Sequence, residues 1–390
     1  MKEPIGLAMV GAGALAARVL RHLALPDVAD AVRVVRVLDT VPGRAEAVIE
    51  RIGLDAVGGT TFSDLLSDPA VDIVSIASPI GLHFEQGMAA IQAGKHVHFN
   101  KTMAITTDEA TRLIESAADA GVHLVASPGE VLRPHVQRIR ELVASGAIGR
   151  VVWAACGCSL NTYHEDEPER LADAGTGAVD PSWYFRVPGG GPLYDMTVYA
   201  LHSLTAILGS VQRVTALSGI RIPQRQFHGH AIETEAHDNT LMLLDFGDGL
   251  YAFAYGAAAG HLTGRHTWDP GARIYGTAGE IVGLTVNGEP FDYPGRDLAE
   301  SSGDPLGAGN QWLLPHVTAS HRNLIEQHVF EDVMQLVDWV RLGTPSAVSA
   351  VHARHVIEII EAAYAAAETG QVQTLRTTVD GIRDLPREAA

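Results

Sequence analysis

Four side chains have the types and spacing that proton-transfer chemistry needs: Lys101, Asp195, Tyr199 and His202. Lys101 sits in FNKTMAI, directly after the strand-like run KHVHF. A lysine there either exchanges a proton with a ligand or is a surface lysine that happens to follow a strand. Asp195, Tyr199 and His202 fall at i, i+4 and i+7 of GGGPLYDMTVYALHSLTAILG, a run read as one helix over 193–208. That spacing predicts one shared helix face, where a carboxylate, a phenol and an imidazole could hold hydroxyl groups and move a proton. The glycines at 189–191 let the start of the helix approach another backbone or a ligand closely. His202 reads equally well as a hydrogen-bonded core histidine.

The elements that must position these groups follow two grammars. Over the first third, strand-like runs (IGLAMV, VRVVRVLD, VDIVSIASP, KHVHFNK, VHLVASP) alternate with helical ones, the last helix with Thr107 as its expected N-cap. Such alternation argues for an α/β domain with a doubly wound parallel sheet over 1–127. From about Pro134 the pattern changes to a helix, then alternating strands such as RVVWAACGCSL, NTLMLLDF and LYAFAYGA, with FGDGL as a hairpin signal. The expected second domain, 128–390, is α+β with an open, mainly antiparallel sheet.

GAGALA, Gly11 to Ala16, has the form G-x-G-x-x-A between a strand and a helix, the context a dinucleotide-binding loop requires. Gly11 permits the tight turn, Gly13 lets the backbone approach a pyrophosphate, and Ala16 allows close helix–strand packing. Ala14 and Leu15 open the helix, whose N-terminal N–H groups suit phosphate. Asp39 ends the next strand, where a carboxylate can bond both ribose hydroxyls and repels a 2′-phosphate. No arginine follows at once, Arg44 being the nearest downstream, five residues on, so NAD is expected over NADP. Ser78 and Pro79, at the end of VDIVSIASP, lie where ligands sit in such sheets. His83 either enters the following helix as a cap or approaches the cofactor's nicotinamide side.

Composition narrows the partners. There are 28 basic residues against 46 acidic ones, a net charge of −18, which disfavours nucleic acid and anionic membrane. No apolar run approaches the ~18 residues of a spanning helix, and MKEPIGLAMVGAG has no secretory h-region. The two cysteines, Cys156 and Cys158, share a strand face and read as buried small residues in a reducing, cytoplasmic setting. His228, His230 and His237 near Glu233 and Glu235 invite a metal reading, but lack the spacing of a structural zinc site, and no metal is expected.

GAGALA, VDIVSIASPIGLHFE, AGKHVHFNKTMAIT, LVASGAIGRV, YGTAGEI and above all GGGPLYDMTVYALHSLTAILG together resemble the glucose–fructose oxidoreductase/inositol dehydrogenase family, Gfo/Idh/MocA. The resemblance covers nearly the whole chain. It implies a Rossmann domain, an open-sheet substrate domain and a nicotinamide cofactor held by the glycine loop, Asp39, Ser78, Pro79, His83, Asn100 and Lys101. It also implies oxidation or reduction of sugars, cyclitols or related polyols, and a homo-oligomer, dimer or tetramer, built through the open sheet. It places the Asp195–Tyr199 face opposite Lys101. Lys101 would be the acid/base, Asp195 would orient it and accept from a substrate hydroxyl, and Tyr199 would donate to, or take the proton from, the reacting hydroxyl. His202 would contact substrate or support those groups. Two departures stand out: Asn100-Lys101-Thr102 replaces the family's usual Glu-Lys-Pro, and Tyr199 replaces its usual histidine.

The substrate expectation is an uncharged, hydroxyl-rich ring, a sugar or glycoside. Between Gly157 and His202 stand two basic residues, Arg170 and Arg186, against Glu165, Asp166, Glu167, Glu169, Asp173, Asp180 and Asp195. A phosphate would want an arginine clamp or several lysines. Trp183, Tyr184 and Phe185 in DPSWYF either stack on an apolar sugar face or anchor a long loop, and the polar run before them could act as a lid. Cyclitol dehydrogenase, ketosugar reductase and a non-catalytic NAD-binding regulator remain as alternatives.

Overall fold

The buried apolar run β1 (Ile5–Val10) lies between β2 (Val32–Leu38) and β4 (Ile73–Ile76) in a six-stranded parallel sheet of order β3-β2-β1-β4-β5-β6. Here β3 is Val57–Gly59, β5 His96–Phe99 and β6 Leu124–Ala126. The computed structural model describes residues 3–160, 181–227, 230–258, 266–301 and 313–379. Its strand order reverses beside β1, and the crevice outside the strands' C-terminal ends at that point is where ligands bind in such sheets. Helices α1 (Ala14–Leu23), α2 (Arg44–Ile52), α3 (Phe62–Leu66), α4 (His83–Gln92) and α5 (Thr107–Ala120) connect the strands. The N-cap of α5 is Thr106, one residue before the expected Thr107. Its side chain accepts from the Glu109 N–H at 3.2 Å while Glu109 reaches back to the Thr106 N–H, a capping box that a threonine pair leaves ambiguous in sequence.

Among the described residues the second sheet has nine strands, antiparallel except where β7 (Val151–Leu160) runs parallel to β12 (Leu250–Ala257). FGDGL is the expected hairpin. Asp248 and Gly249 have φ of 52° and 76°, the paired positive values of a primed turn between β11 (Asn239–Gly247) and β12. One sheet face is covered by α6 (Pro134–Ala144), α7 (Val198–Leu208) and α9 (Ala350–Thr369), packing Ile139, Leu204 and Ile360 over Ala154, Met242 and Leu244. On the opposite face Leu217, Leu241, Leu243, Trp153 and Tyr251 are exposed.

Between these helices the chain returns to the first sheet. Helix α8 (Gln327–Leu342) packs Phe330, Val333 and Val337 with Leu20 of α1 and Val125 of β6. A division at 127/128 marks where the parallel sheet ends, yet α8 belongs in space to the cofactor-side layer and carries its first turn to the junction of the two domains.

Candidate active site

The cofactor edge is built where β1 and β4 diverge. Gly11 has φ 95°, and a Cβ there would lie 2.7 Å from the Ala77 carbonyl oxygen, so no larger residue fits. Gly13, the N-cap of α1, faces open space in the direction a Cβ would take, which is the room a pyrophosphate needs. The N–H groups of Ala14 and Leu15 belong to the first helical turn and have no intrahelical acceptor. Asp39 is buried, with Oδ2 accepting from the Ala12 N–H at 2.9 Å and Oδ1 from the Val41 N–H at 2.9 Å. Arg44 Nη1 adds an ion pair to Oδ1 at 3.3 Å. Asn100, half-buried at the end of β5, turns a buried side-chain oxygen to no partner. An orphan acceptor beside the crevice fits a carboxamide donor, so loop, helix start and Asn100 together suit a nicotinamide dinucleotide.

Ser78 and Pro79 follow β4 as expected, with the Ser78 hydroxyl donating to Gln86 Oε1 at 2.6 Å. His83 is fully buried and does not cap α4 through its side chain. Its Nδ1 lies 2.6 Å from the Thr102 carbonyl oxygen and its Nε2 2.8 Å from that of Ser78. The ring therefore ties together the two loops that follow β4 and β5. Burial pushes its pKa down, with Lys101 adding to the effect.

Lys101 is largely buried, and its Nζ forms an ion pair and hydrogen bond with Asp195 Oδ1. The Lys101–Thr102 peptide is cis, and Thr102 is buried with its hydroxyl on the Ala104 carbonyl at 2.8 Å. Asp195 sits in a π turn, Leu193–Thr197, that leads directly into α7. Tyr199 lies beside the pair, its ring centroid 5.4 Å from Lys101 Nζ and 5.8 Å from Arg133 Cζ. Burial drives the Tyr199 pKa well above that of a free phenol, with Glu326 and Asp195 adding to it, so the hydroxyl keeps its proton. Tyr199 can donate a hydrogen bond; it cannot readily serve as a base. Cys158, on the neighbouring strand, is pushed up to about 12 by burial, with Asp195 adding to it, and is an inert thiol.

The structure does not join His202 to this group. Its Nδ1 lies 2.8 Å from the Val198 carbonyl of its own helix, and its ring packs 4.7 Å from that of His352 on α9. The physical reason is distance along the axis: His202 stands seven residues beyond Asp195, about 10 Å further on at 1.5 Å per residue, where the regular helix is covered by α9. The imidazole at Tyr199 is instead His328, in the first turn of α8, with Nε2 3.3 Å from Tyr199 Oη. Burial, then Arg133 and Lys101, push His328 well below the usual histidine range and hold it neutral. Arg133, buried under the same ring, pairs with Glu130, which also accepts from the Ser203 hydroxyl at 2.7 Å. No motif marks Arg133, Glu130, Glu326 or His328. The one sequence signal is a buried-type helix start at QHVFEDV that carries a histidine.

Trp183 and Tyr184 stack with centroids 3.6 Å apart and are half-buried, while Phe185 is buried beside Cys158 and Ala258. The Tyr184 carbonyl accepts from the Gly191 N–H at 2.6 Å, which fixes the aromatic turn to the glycine run. Gly191 has φ 94°, and a Cβ there would meet the His237 carbonyl oxygen at 2.8 Å. The expected lid, with Glu165, Asp166, Glu167, Glu169, Arg170, Asp173 and Asp180, lies outside the described residues, as does His228. His237 meets the Ser218 hydroxyl at 2.8 Å, Glu233 accepts from Gln224 at 2.8 Å, Glu235 accepts from the Val187 N–H at 3.3 Å, and His230 is exposed. Among the described residues no three His, Cys, Asp or Glu side chains gather as a metal-binding group, and no helix is long and apolar enough to cross a membrane.

Residues 5–127 match the "Oxidoreductase family, NAD-binding Rossmann fold" and residues 136–282 the "GFO/IDH/MocA C-terminal domain". The chain belongs to the Gfo/Idh/MocA oxidoreductase family. It is 28% identical over 254 residues to D-xylose 1-dehydrogenase (NADP(+)) of Hypocrea jecorina, covering 64% of this chain and 63% of that protein. It is 25% identical over 273 residues to levoglucosan dehydrogenase of Pseudarthrobacter phenanthrenivorans, covering 66% of this chain and 64% of that one. The matched regions thus span just under two thirds of both relatives. A solved structure of levoglucosan dehydrogenase in complex with NADH and levoglucosan shares the fold, with a TM-score of 0.71 over 95% of this chain and 99% of that chain at 19% identity.

Proposed function

We propose that this protein transfers a hydride between a secondary hydroxyl of a sugar or glycoside ring and a nicotinamide nucleotide, with Lys101 as the acid/base. The observation that carries the reading is the Lys101–Asp195 ion pair, which joins the end of the parallel sheet to the π turn of the second domain beside Tyr199. The bound nicotinamide supplies the hydride acceptor or donor. Asp195 fixes the Lys101 amine in place. In the reducing direction the Lys101 ammonium of the ion pair gives its proton to the reacting oxygen as hydride arrives; in oxidation the amine, having first released that proton to solvent, takes the hydroxyl proton as hydride departs. Tyr199, a protonated phenol, donates to the reacting oxygen and stabilises its developing charge.

Charge balance supports an uncharged substrate. Lys101 is matched by Asp195 and Arg133 by Glu130. An arginine stays protonated, so Glu130 serves as its counter-ion in spite of the upward pull of burial on that carboxyl. No cation of these pairs is left over for a phosphate. The stacked Trp183–Tyr184 rings suit the apolar face of a pyranose. The experiment is turnover of glucose, an alkyl glucoside, a cyclitol and glucose 6-phosphate, each with NAD and NADP. Best activity on the phosphorylated sugar overturns the charge argument. Best activity on the cyclitol keeps the mechanism and moves the substrate class. Bound NADH without turnover of any polyol favours a non-catalytic regulator.

NAD is the preferred cofactor on the strength of Asp39, whose carboxylate repels a 2′-phosphate. A second reading rests on Arg44, 3.3 Å from Asp39, since a guanidinium beside the acid can accept that phosphate. The exposed row Leu217, Leu241, Leu243, Trp153 and Tyr251 supports a homo-oligomer through the open sheet face, and sedimentation of the purified protein as a monomer would refute it. The buried thiols of Cys156 and Cys158 fit a reducing, cytoplasmic setting.

A further inference from the structure

Glu326 precedes α8 with φ 68°, a left-handed conformation that is strained for a non-glycine residue. Strain of this kind persists where surrounding contacts over-determine it and concentrates at functional sites. The contacts here are specific. Glu326 Oε1 pairs with Arg18 Nη1 of α1 at 3.2 Å, and Oε2 lies 3.7 Å from His328 Nε2. The same Nε2 is 3.3 Å from Tyr199 Oη. One ring nitrogen therefore stands between a carboxylate and a phenol oxygen.

A neutral imidazole presents either an N–H or a lone pair at Nε2. A lone pair there would face the acceptor-only carboxylate of Glu326. An N–H is attracted to it and can donate to Tyr199 Oη. The two tautomers give Tyr199 opposite roles. With the proton on Nδ1, the phenol spends its own proton on His328 and offers a ligand only lone pairs. With the proton on Nε2, the phenol oxygen accepts from His328 and its proton is left for the ligand.

We propose that Glu326 and His328 form a positioning pair that fixes the Nε2–H tautomer and so commits Tyr199 to donating its hydrogen bond to the substrate's reacting oxygen. Arg18 anchors the pair from the cofactor side. The inference rests on the reading of Tyr199 as a substrate-facing donor. It adds that the donor direction is set by two residues outside the Asp195–Tyr199 helix. Developing negative charge on the oxygen during oxidation, and the carbonyl during reduction, both require a donor at Tyr199, so one tautomer serves both directions.

The test combines a measurement that needs no turnover with one that does. Full-length protein labelled with ¹⁵N-histidine, with His328 assigned by difference against His328→Gln, should show the His328 proton on Nε2 at neutral pH. Glu326→Gln should shift it toward Nδ1. In kinetics, His328→Leu should lower kcat by about 10²-fold, the scale of one oriented donor. His328→Gln, whose amide N–H can stand in for Nε2–H, should recover most of that loss. In a Tyr199→Phe background, His328→Leu should cost almost nothing further. A His328 proton on Nδ1 in the wild type overturns the proposal, as does a His328→Leu loss that persists undiminished without the Tyr199 hydroxyl. If His328→Leu does not fold, the tautomer shift in Glu326→Gln decides alone. A wild type that binds NADH but oxidises no polyol overturns the enzymatic reading, and the spectrum still decides the geometry of the pair.

Discussion

Asp195 and His202 stand on one continuous helical element, and their surroundings differ completely. Asp195, in the π turn, meets Lys101 from the other domain and lies beside Tyr199. His202, in the regular helix beyond, bonds its own Val198 carbonyl and packs on His352 of α9. Both side chains are buried and polar, so burial does not separate them. What separates them is what they are aimed at. The end nearer the glycine run faces the crevice between the sheets and gathers opposite charges. The far end faces a covering helix and gathers histidines that burial holds neutral, His202 at about 4 and His352 well below the usual range. An active-site face on a helix can end within two turns, where a covering helix takes the place of the crevice.

The comparison breaks most sharply at Lys101. Lys101→Met should lower turnover by roughly 10²–10⁴, the range for a positioned proton-transfer group, with NADH affinity by fluorescence titration little changed. Near-normal turnover in a folded variant would return this lysine to the surface reading and leave the Asp195 end with no more chemistry than the His202 end. Next in size, Tyr199→Phe removes one oriented donor and should cost about 10²-fold in kcat, whereas His202→Asn, which changes contacts to α9, should alter thermal stability more than kcat. A greater kcat loss from His202→Asn than from Tyr199→Phe would reverse the assignment of the two ends.

The parts of this site legible in the sequence are those whose geometry is local. GAGALA needs one turn, Asp39 one strand end and Lys101 another, and each is fixed by neighbours close in the chain. The β–α alternation and the hairpin at Asp248–Gly249 are legible for the same reason. His202 is open to misreading because spacing predicts a shared face but not what that face meets two turns further on, here the covering helix α9. His328 and Arg133 were invisible because their partner is Tyr199, far off in sequence, and a contact of that kind leaves no spacing to read. His83 shows the intermediate case: its place at a helix entry is legible, but its use as a tie between the Ser78 and Thr102 carbonyls is not.

A smaller effect sharpens the role of the cofactor edge. Asp39→Ala removes the carboxylate that holds the Ala12 and Val41 N–H groups and carries the Arg44 ion pair. NAD affinity should fall by about tenfold or more, as expected for a charged hydrogen-bonding group, while NADP affinity should hold or rise because Arg44 is released. The check is paired titration with NADH and NADPH. A wild type that already prefers NADPH would assign Arg44, and not Asp39, as the selecting residue.

Helix α8 repeats the contrast between the two ends of the Asp195 element, and the last and smallest effect on turnover lies there. His328 faces Tyr199, while Asp332, one turn on, faces inward to the cofactor domain. Its Oδ2 accepts from the Ser127 hydroxyl at 2.6 Å and from the Gly129 N–H at 3.0 Å. Ser127 in turn lies 3.0 Å from His98 Nε2, and His98 Nδ1 lies 2.9 Å from the Ser75 hydroxyl, a buried chain across three parallel strands. Burial raises the Asp332 pKa from 3.8 to about 7, against the lowering pull of Ser127 and Gly129. The sign follows from linkage. A carboxyl whose pKa is higher folded than unfolded binds more protons in the folded state between the two values, so its contribution to stability is full below about pH 4 and is lost as pH rises through about 7. A shift of that size corresponds to roughly 4 kcal/mol at most. Asp332→Asn keeps an acceptor for both Oδ2 bonds and cannot ionise. Its unfolding free energy should match the wild type near pH 4 and exceed it by about 1–3 kcal/mol at pH 8, with kcat unchanged because the helix and His328 keep their positions. Denaturant unfolding of both proteins across that interval is the measurement. Parallel curves would mean that Asp332 titrates as an ordinary carboxylate and is stabilised as the anion by the donors around it.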